Sequence, residues 1–207
     1  MTSAPLLRTI PDIERLLEAH ADLHALLSYV DGLGLPDAWI GAGFIRNSVW
    51  DVLHGREIDV SRLNDVDVLF FDRDDPRKEQ EADIEHRLRA LAPDVPWSVK
   101  NQARMHLRNG DAPYHDTRDA IAHWAETATA IAARSIEGAV EVMAPYGIQD
   151  LLKLIVRPTP AFKNKMDVYR ERVAGKDWPI RWPGLTMLMT WEEAYPMPHN
   201  SFDRIDT

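Results

Sequence analysis

The stretch 65–72, with the sequence DVDVLFFD, limits the possible folds more than any other feature of the chain. Its β-branched and aromatic residues predict a strand, and its first residues alternate between acidic and apolar. Alternate side chains of a strand share a face, so Asp65 and Asp67 point the same way, with α-carbons about 6.6 Å apart. Two carboxylates held this close repel each other unless a cation neutralises them. The pair suits a hard cation such as Mg²⁺, although a solvated strand face explains it equally well.

A glycine turn lies about 22 residues before this strand. Residues 38–40 predict a short strand and residues 44–54 a helix, so Gly41-Ala42-Gly43 lies between the two. The first turn of a helix has unpaired N–H groups and a partial positive charge, which favour a bound phosphate. We expect glycine here because a side chain would block close approach to the backbone. Arg46 and Asn47 fall in the first helical turn, where both reach phosphate oxygens.

Other segments complete the predicted fold. Residues 97–106 alternate apolar and polar side chains and predict a strand, on which Lys100, Gln102 and Arg104 share one face. That face either lines a site or lies against solvent, and Arg104 and His106 are also possible partners of the aspartates. Apolar residues recur at helical spacing in five further segments, namely 10–30, 76–91, 117–133, 147–156 and 163–174.

Composition narrows the class of protein. The 207 residues are 45% apolar, enough for a globular chain with a packed core. The chain has no cysteine, so any metal would bind carboxylates or histidines. A formal net charge of −9 argues against generic binding of long DNA. The sequence has neither an apolar run of membrane-spanning length nor a secretory signal, so we expect a cytoplasmic protein and no membrane partner.

Together these motifs resemble a known superfamily. The stretches 41–47 (GAGFIRN), 53–55 (LHG) and 64–68 (NDVDV) resemble the DNA polymerase beta-like nucleotidyltransferases, and the head of the chain is similar to the CCA-adding and poly(A) polymerase type. A closer resemblance is to a bacterial nucleotidyltransferase-like family that shares the stretches 99–106 (VKNQARMH) and 144–147 (APYG). The resemblance covers about residues 10 to 190.

The resemblance implies an α+β fold with a short mixed β-sheet flanked by helices. We expect residues 1–110 to form the nucleotidyltransferase core with its N-terminal helix, and residues 111–207 to form a mostly helical subdomain packed on it. It further implies metal-dependent transfer of a nucleoside monophosphate from an NTP to a hydroxyl, with Asp65 and Asp67 as ligands of Mg²⁺ or Mn²⁺. The candidate catalytic residues are Asp65, Asp67, Lys100 and Arg104, and the candidate nucleotide-binding residues are Gly41, Ala42, Gly43, Arg46, Asn47, Gln102 and His106.

The third carboxylate of the superfamily has no counterpart in this pattern. The strand that should carry it reads SVKNQ over residues 98–102, without an acid. Asp72, Asp94 and Asp111 are the nearest substitutes by sequence. If none of them serves, the chain is a catalytically impaired nucleotide-binding or partner-binding module. A phosphohydrolase of the haloacid dehalogenase type also uses Asp-x-Asp, but there the pair ends its strand, whereas here residues 69–71 continue it.

Charge leaves the acceptor open. All of the acidic excess precedes residue 97, whereas residues 153–181 hold eight basic and three acidic side chains. This basic segment is suited to an RNA backbone, to the acidic half of the chain, or simply to solvent. RNA, a small molecule and a protein hydroxyl therefore all stand as possible acceptors.

Overall fold

The computed structural model describes residues 6–196. Within this range the chain forms seven strands and ten α-helices. The strands are β1 (Trp39–Gly41), β2 (Val66–Phe70), β3 (Trp97–Asn101), β4 (Ala132–Ile136), β5 (Ala139–Met143), β6 (Ile155–Val156) and β7 (Thr186–Met187). The helices are α1 (Ile10–Ala19), α2 (Ala21–Asp31), α3 (Gly43–Leu53), α4 (Lys78–Leu91), α5 (Met105–Asn109), α6 (Thr117–Ala122), α7 (Gln149–Leu152), α8 (Met166–Ala174), α9 (Trp178–Arg181) and α10 (Trp191–Ala194).

A five-stranded mixed sheet organises the molecule, in the order β3-β2-β1-β4-β5. Strands β2 and β3 are parallel, and the other neighbours are antiparallel. Alternation along β2 sends Val66, Val68 and Phe70 into the main core, which helices pack against. The opposite face carries a small second cluster around Trp39 and Leu69. The predicted α+β fold, a short mixed sheet flanked by helices, is confirmed.

Four predicted elements are wrong in extent. The segment 147–156, expected to be one helix, contains the short helix α7 and then strand β6, which pairs with β7. The helix expected over 10–30 is two helices, because the backbone of His20 is extended and its ring caps the second helix by accepting from Leu23 N. The strand expected over 97–106 ends at Asn101, whose buried side chain accepts from Ala103 N and starts a helical turn.

The helix expected over 117–133 ends at Ala122, and residues 132–136 are strand β4. Pairing of Ala132 and Ala133 with β1 outweighs the helical preference of alanine. Strand β5 was not predicted. It follows β4 through the two-residue turn Glu137-Gly138, whose φ angles are both positive, as such hairpins require. The sheet thus takes three strands from before residue 110 and two from after it, and the domain division stays a prediction.

No helix in the described part of the chain has the length and apolar character needed to cross a membrane.

Candidate active site

The carboxylate pair lies at the amino end of β2. Asp65 is exposed just before the strand, and Asp67 is half-buried on the face opposite the main core. Burial, and then the charge of Asp65, raise the pKa of Asp67 to about 6, against smaller opposing effects of Arg46, Ser98 and Arg172. Among the described residues, neither aspartate has a cationic side-chain nitrogen within 4.0 Å. The pair is therefore a concentration of negative charge without a cationic partner in contact with it.

The glycine turn lies directly beside this pair. Gly41 is opposite Asp67 on one side and Ala132 on the other, and α3 begins two residues later at Gly43. Between them, Ala42 adopts φ 54° and ψ −120°, a conformation that favours glycine. The backbone N–H of Ala42 is held by Ile131 O at 3.0 Å. Such strain persists only where neighbouring contacts fix the backbone, and it is common at functional sites.

Packing explains the glycine at position 41. A Cβ there would lie 2.8 Å from the indole of Trp124 and 2.9 Å from Leu69 Cδ1. The expected reason, close approach of a phosphate, is therefore not needed at this position. At Gly43 a Cβ would lie 3.3 Å from Asn47 Nδ2, so this glycine keeps the space in front of the amide open. Trp124, which the sequence did not single out, lies half-buried against the turn.

Arg46 lies behind the turn and not at its surface. Its guanidinium is buried between Trp50 and Trp178, with its central carbon 5.2 and 4.3 Å from the two ring centroids. It donates to Thr129 Oγ1 at 2.8 Å and to Asn47 Oδ1 at 2.9 Å. Burial lowers the pKa of Arg46 to about 10, still leaving it charged at neutral pH. Arg46 therefore fixes the orientation of the Asn47 amide and places a buried positive charge behind the turn.

Asn47 is the residue of this pair that faces outward. Because its Oδ1 accepts from Arg46, its Nδ2 is left as a donor on the side of Gly43. The side chain is half-buried on the first turn of α3. Its amide and the N–H groups of that turn form one set of donors beside the carboxylate pair.

The other predicted site residues gather at the opposite end of β3. Arg104 donates to Glu81 through Nε at 2.8 Å and Nη2 at 2.6 Å, and Lys100 Nζ lies 3.9 Å from the same carboxylate. Gln102 Nε2 donates to Lys100 O at 3.2 Å, and His106 Nδ1 lies 3.0 Å from Ala103 O. The structure does not bring these four side chains to the aspartates.

The described residues contain no third acid placed to complete a metal site. Ser98, which is not an acid, is the β3 residue opposite Asp67. Asp72 is held by Gln80 and by nearby backbone N–H groups, and Asp111 by Lys165 and Tyr114. Asp94 is exposed in the turn before β3.

Two charged residues beside the site escaped the sequence analysis. Glu126 is wholly buried after α6, and its Oε1 accepts from Arg172 Nε at 2.7 Å. Both influence the pKa of Arg46, with opposite signs. The available signal was the basic segment 153–181, which contains Arg172, but sequence could not say which of its eight cations reaches the sheet.

Comparison with solved structures defines the class of this fold. The chain is similar to a protein whose NMR structure reveals a CCA-adding enzyme head domain, with 33% identity and a TM-score of 0.80 over 90% of this chain and 100% of the other. A CCA-adding enzyme in complex with CTP is similar at 11% identity and a TM-score of 0.54, over 87% of this chain and 43% of that enzyme. The Thermotoga maritima CCA-adding enzyme complexed with tRNA gives 12% identity and a TM-score of 0.50, over 90% and 44%.

The two complexes share only the fold with this chain, and the chain spans less than half of their length. The similarity at 33% identity defines the class, which is the nucleotidyltransferase head domain. Residues 28–187 match the family described as nucleotidyltransferase, so the chain belongs to that family. Among curated proteins no relative matches it. The family supports an NTP-using transferase in general.

Proposed function

We propose that this protein is a metal-dependent nucleotidyltransferase that moves a nucleoside monophosphate from an NTP to an acceptor hydroxyl. One observation carries the proposal. The strand register sets Asp67 opposite Gly41, so that the carboxylate pair lies beside the turn that opens α3. A site for cations therefore adjoins a site for anions, and a nucleoside triphosphate bound with a divalent ion requires both.

The residues present fit a hard divalent cation. Asp65 and Asp67 offer only oxygen donors. Burial, and then the charge of Asp65, raise the pKa of Asp67, and a cation bound at the pair would favour its ionised form. Asp65 and Asp67 would hold Mg²⁺ or Mn²⁺. When bound, such an ion neutralises the phosphate oxygens and the charge that develops on the leaving group.

The chain's own groups bind and orient the nucleotide. The N–H groups at the start of α3 and the Asn47 amide donate to phosphate oxygens, while buried Arg46 adds positive potential. The acceptor oxygen attacks the α-phosphorus, the bond to the bridging α,β-oxygen breaks, and pyrophosphate leaves. The hydroxyl proton passes to solvent. We assign Lys100 a contribution only if its ammonium turns away from Glu81, and we assign Arg104, Gln102 and His106 to the structure of that region.

A second function is favoured by one feature of β3. Ser98 stands opposite Asp67 where a third carboxylate would serve, and the described residues supply no other acid there. A protein of this kind would bind nucleotide at the same turn and transfer it slowly or not at all. This alternative is a catalytically impaired nucleotide-binding module.

Turnover separates the two functions. The protein is incubated with each labelled NTP, with Mg²⁺ or Mn²⁺, and with tRNA or a cell extract, and both pyrophosphate release and label transfer are measured. The enzyme predicts transfer by the wild type and loss of at least a thousandfold in Asp65→Ala/Asp67→Ala. A matched control, Glu79→Ala/Asp83→Ala, removes two charges from the exposed face of α4 and should keep full activity. NTP binding without pyrophosphate release by the wild type would establish the impaired module instead.

The acceptor is tested by its dependence on salt. If tRNA is the acceptor, its affinity should fall steeply between low and physiological salt, because phosphate contacts release counterions. Unchanged affinity would remove RNA and leave a small-molecule or protein hydroxyl. We place the reaction in the cytoplasm, where NTPs are available.

A further inference from the structure

Arg172 has an unusual combination of anchoring and exposure. Its Nε donates to buried Glu126, whereas 44% of its side chain remains exposed. Within residues 6–196 this is the only hydrogen bond of the guanidinium, so both Nη groups are available. An anchored arginine with two unused Nη groups is a preorganised donor for phosphate oxygens.

The anchor is rigid because it is tied to the glycine turn. Glu126 O accepts from Thr129 N at 3.0 Å and from Ala130 N at 2.9 Å. Thr129 Oγ1 accepts from Arg46, and the next residues hold the turn through Ile131 O and Ala42 N. The segment 126–131 therefore joins Arg172 to the backbone that opens α3.

A second contact places the same part of the chain at the site. Trp178, six residues after Arg172, covers the Arg46 guanidinium at 4.3 Å. No nitrogen of Arg172 lies within 4.0 Å of either aspartate, since its ion pair is with Glu126. Arg172 is thus joined to the turn that opens α3 through Glu126 and the segment 126–131, and it forms no ion pair with the carboxylate pair.

The cluster formed by Arg46, Glu126 and Arg172 has charges and polar atoms that are not fully paired. Two buried atoms of this cluster, Arg46 Nε and Glu126 Oε2, have no hydrogen-bond partner within residues 6–196. Glu126 pairs with Arg172, and its charge also acts on buried Arg46. The three groups together carry a net charge of +1, whereas Asp65 and Asp67 in their ionised forms carry −2. An anion on the exposed side of Arg172 and a divalent cation at the aspartates would balance both.

We propose that Arg172 binds the β- and γ-phosphates of the nucleotide, and that Glu126 positions it for this contact. The proposal rests on the nucleotide site proposed above, but not on turnover. The basic segment 153–181 thereby has one cation directed to the nucleotide and not to a nucleic-acid backbone.

The test compares ligands that differ only in their phosphates. Binding of an α,β-methylene NTP, which cannot transfer its nucleotide, and of the corresponding NMP is measured by calorimetry with Mg²⁺ present. Arg172→Gln should weaken the triphosphate at least tenfold and the monophosphate less than twofold. Arg170→Gln is the matched control, because Arg170 lies on the same helix and pairs with Asp167; it should leave both affinities unchanged.

Several results would overturn the proposal. These are a triphosphate affinity of Arg172→Gln within twofold of wild type, an equal loss for both ligands, or a loss confined to tRNA. Should Arg172→Gln fail to fold, Arg172→Lys keeps the charge but not the two-nitrogen fork, and it should still weaken the triphosphate severalfold; wild-type affinity in that variant refutes the contact. Glu126→Gln should reproduce the selective loss.

Failure of this proposal and of the proposed function are distinguishable. A wild type that binds the triphosphate analogue through Arg172 but never releases pyrophosphate from NTP keeps the contact and loses the transferase. If Arg172→Gln binds the triphosphate analogue and releases pyrophosphate as well as the wild type does, the transferase stands and the proposed contact is refuted.

Discussion

Strands β2 and β3 run side by side, but their two ends differ in how their charges are satisfied. At the carboxyl end, buried Glu81 accepts from Asn101 N at 2.8 Å and from Arg104, with Lys100 close by. At the amino end, Asp65 and Asp67 have no such partners among the described residues, and Asp67 has a raised pKa. The charged groups at the carboxyl end are paired within the fold, whereas the two carboxylates at the amino end have no ionic partner, as the proposed metal site requires.

The comparison shows how charged residues that stabilise the fold can be distinguished from charged residues that are available to a ligand. Both ends look alike in sequence, since each combines acids, cations and amides near a strand terminus. Within the described residues, the amino end differs because its two carboxylates have no cationic side-chain nitrogen within 4.0 Å and because Ala42 beside them adopts φ 54° and ψ −120°. Substitutions at the two ends should therefore differ in kind, with stability lost at one and ligand binding at the other.

The largest effect is expected at Glu81. Glu81→Gln leaves Arg104 without its carboxylate in a nearly buried pair, which should lower the free energy of unfolding by about 3 kcal/mol. Urea denaturation measures this, and Glu79→Gln on the exposed face of α4 should change it by less than about 0.5 kcal/mol. Nucleotide affinity of the folded fraction should stay unchanged; a selective loss would move the site to this end.

Substitution of Asp67 is expected to raise the free energy of unfolding instead of lowering it. Its folded pKa, about 6, lies above the ordinary 3.8, so the stability linked to its protonated form is present below pH 4 and lost as the pH rises through 6. Asp67→Asn should therefore stabilise the metal-free protein at pH 8 by about 2 to 3 kcal/mol and should not at pH 4. Denaturation in a chelating buffer at both pH values measures this.

Asp59 provides the control for that experiment. The Ser61 hydroxyl holds the pKa of Asp59 below its usual range, so stability from Asp59 is present at neutral pH and lost on acidification. Asp59→Asn should not stabilise the protein at pH 8. Equal stabilisation by both substitutions would mean that net charge, and not the site, is responsible.

A smaller loss is expected at Gly41. Gly41→Ala brings a methyl group within 2.8 Å of Trp124 and 2.9 Å of Leu69, and overpacking of this kind costs about 1 to 3 kcal/mol. Trp124→Phe in the same chain should recover part of the loss, as thermal denaturation would reveal. Gly43→Ala should instead weaken nucleotide binding more than stability. No rescue by Trp124→Phe would return Gly41 to a role in phosphate approach.

The smallest effect is expected at Ala42. Ala42→Gly relieves a positive φ, and against the entropy cost of glycine it should raise stability by about 1 kcal/mol. Ala92→Gly, at a position with φ −143°, should lower it by about 0.5 to 1 kcal/mol. A loss at position 42 as well would show that its backbone is not strained.

The sequence predicted local structure correctly where neighbouring residues alone determine the element. The alternation over β2, the strand–glycine–helix order at Gly41 and the start of α4 near 76 are all confirmed, within two residues. It failed where a distant partner decided. Alanines 132 and 133 look helical until β1 pairs with them, and Asn101 ends its strand because its side chain bonds to Asp72 and Asp75. Glu137-Gly138 is the local sequence signal for the hairpin between β4 and β5.

The sequence by itself determined the carboxylate pair, the turn before α3 and the α+β class, because each follows from side-chain period and backbone preference over a few residues. Only the tertiary structure decided that Arg104 pairs with Glu81, that Arg46 is buried behind Asn47, and that Arg172 pairs with Glu126. The Arg104–Glu81 contact joins residues 23 positions apart in the sequence, and the Arg172–Glu126 contact joins residues 46 positions apart. Local pattern carries no information about such distances, since they are set when helices and strands pack.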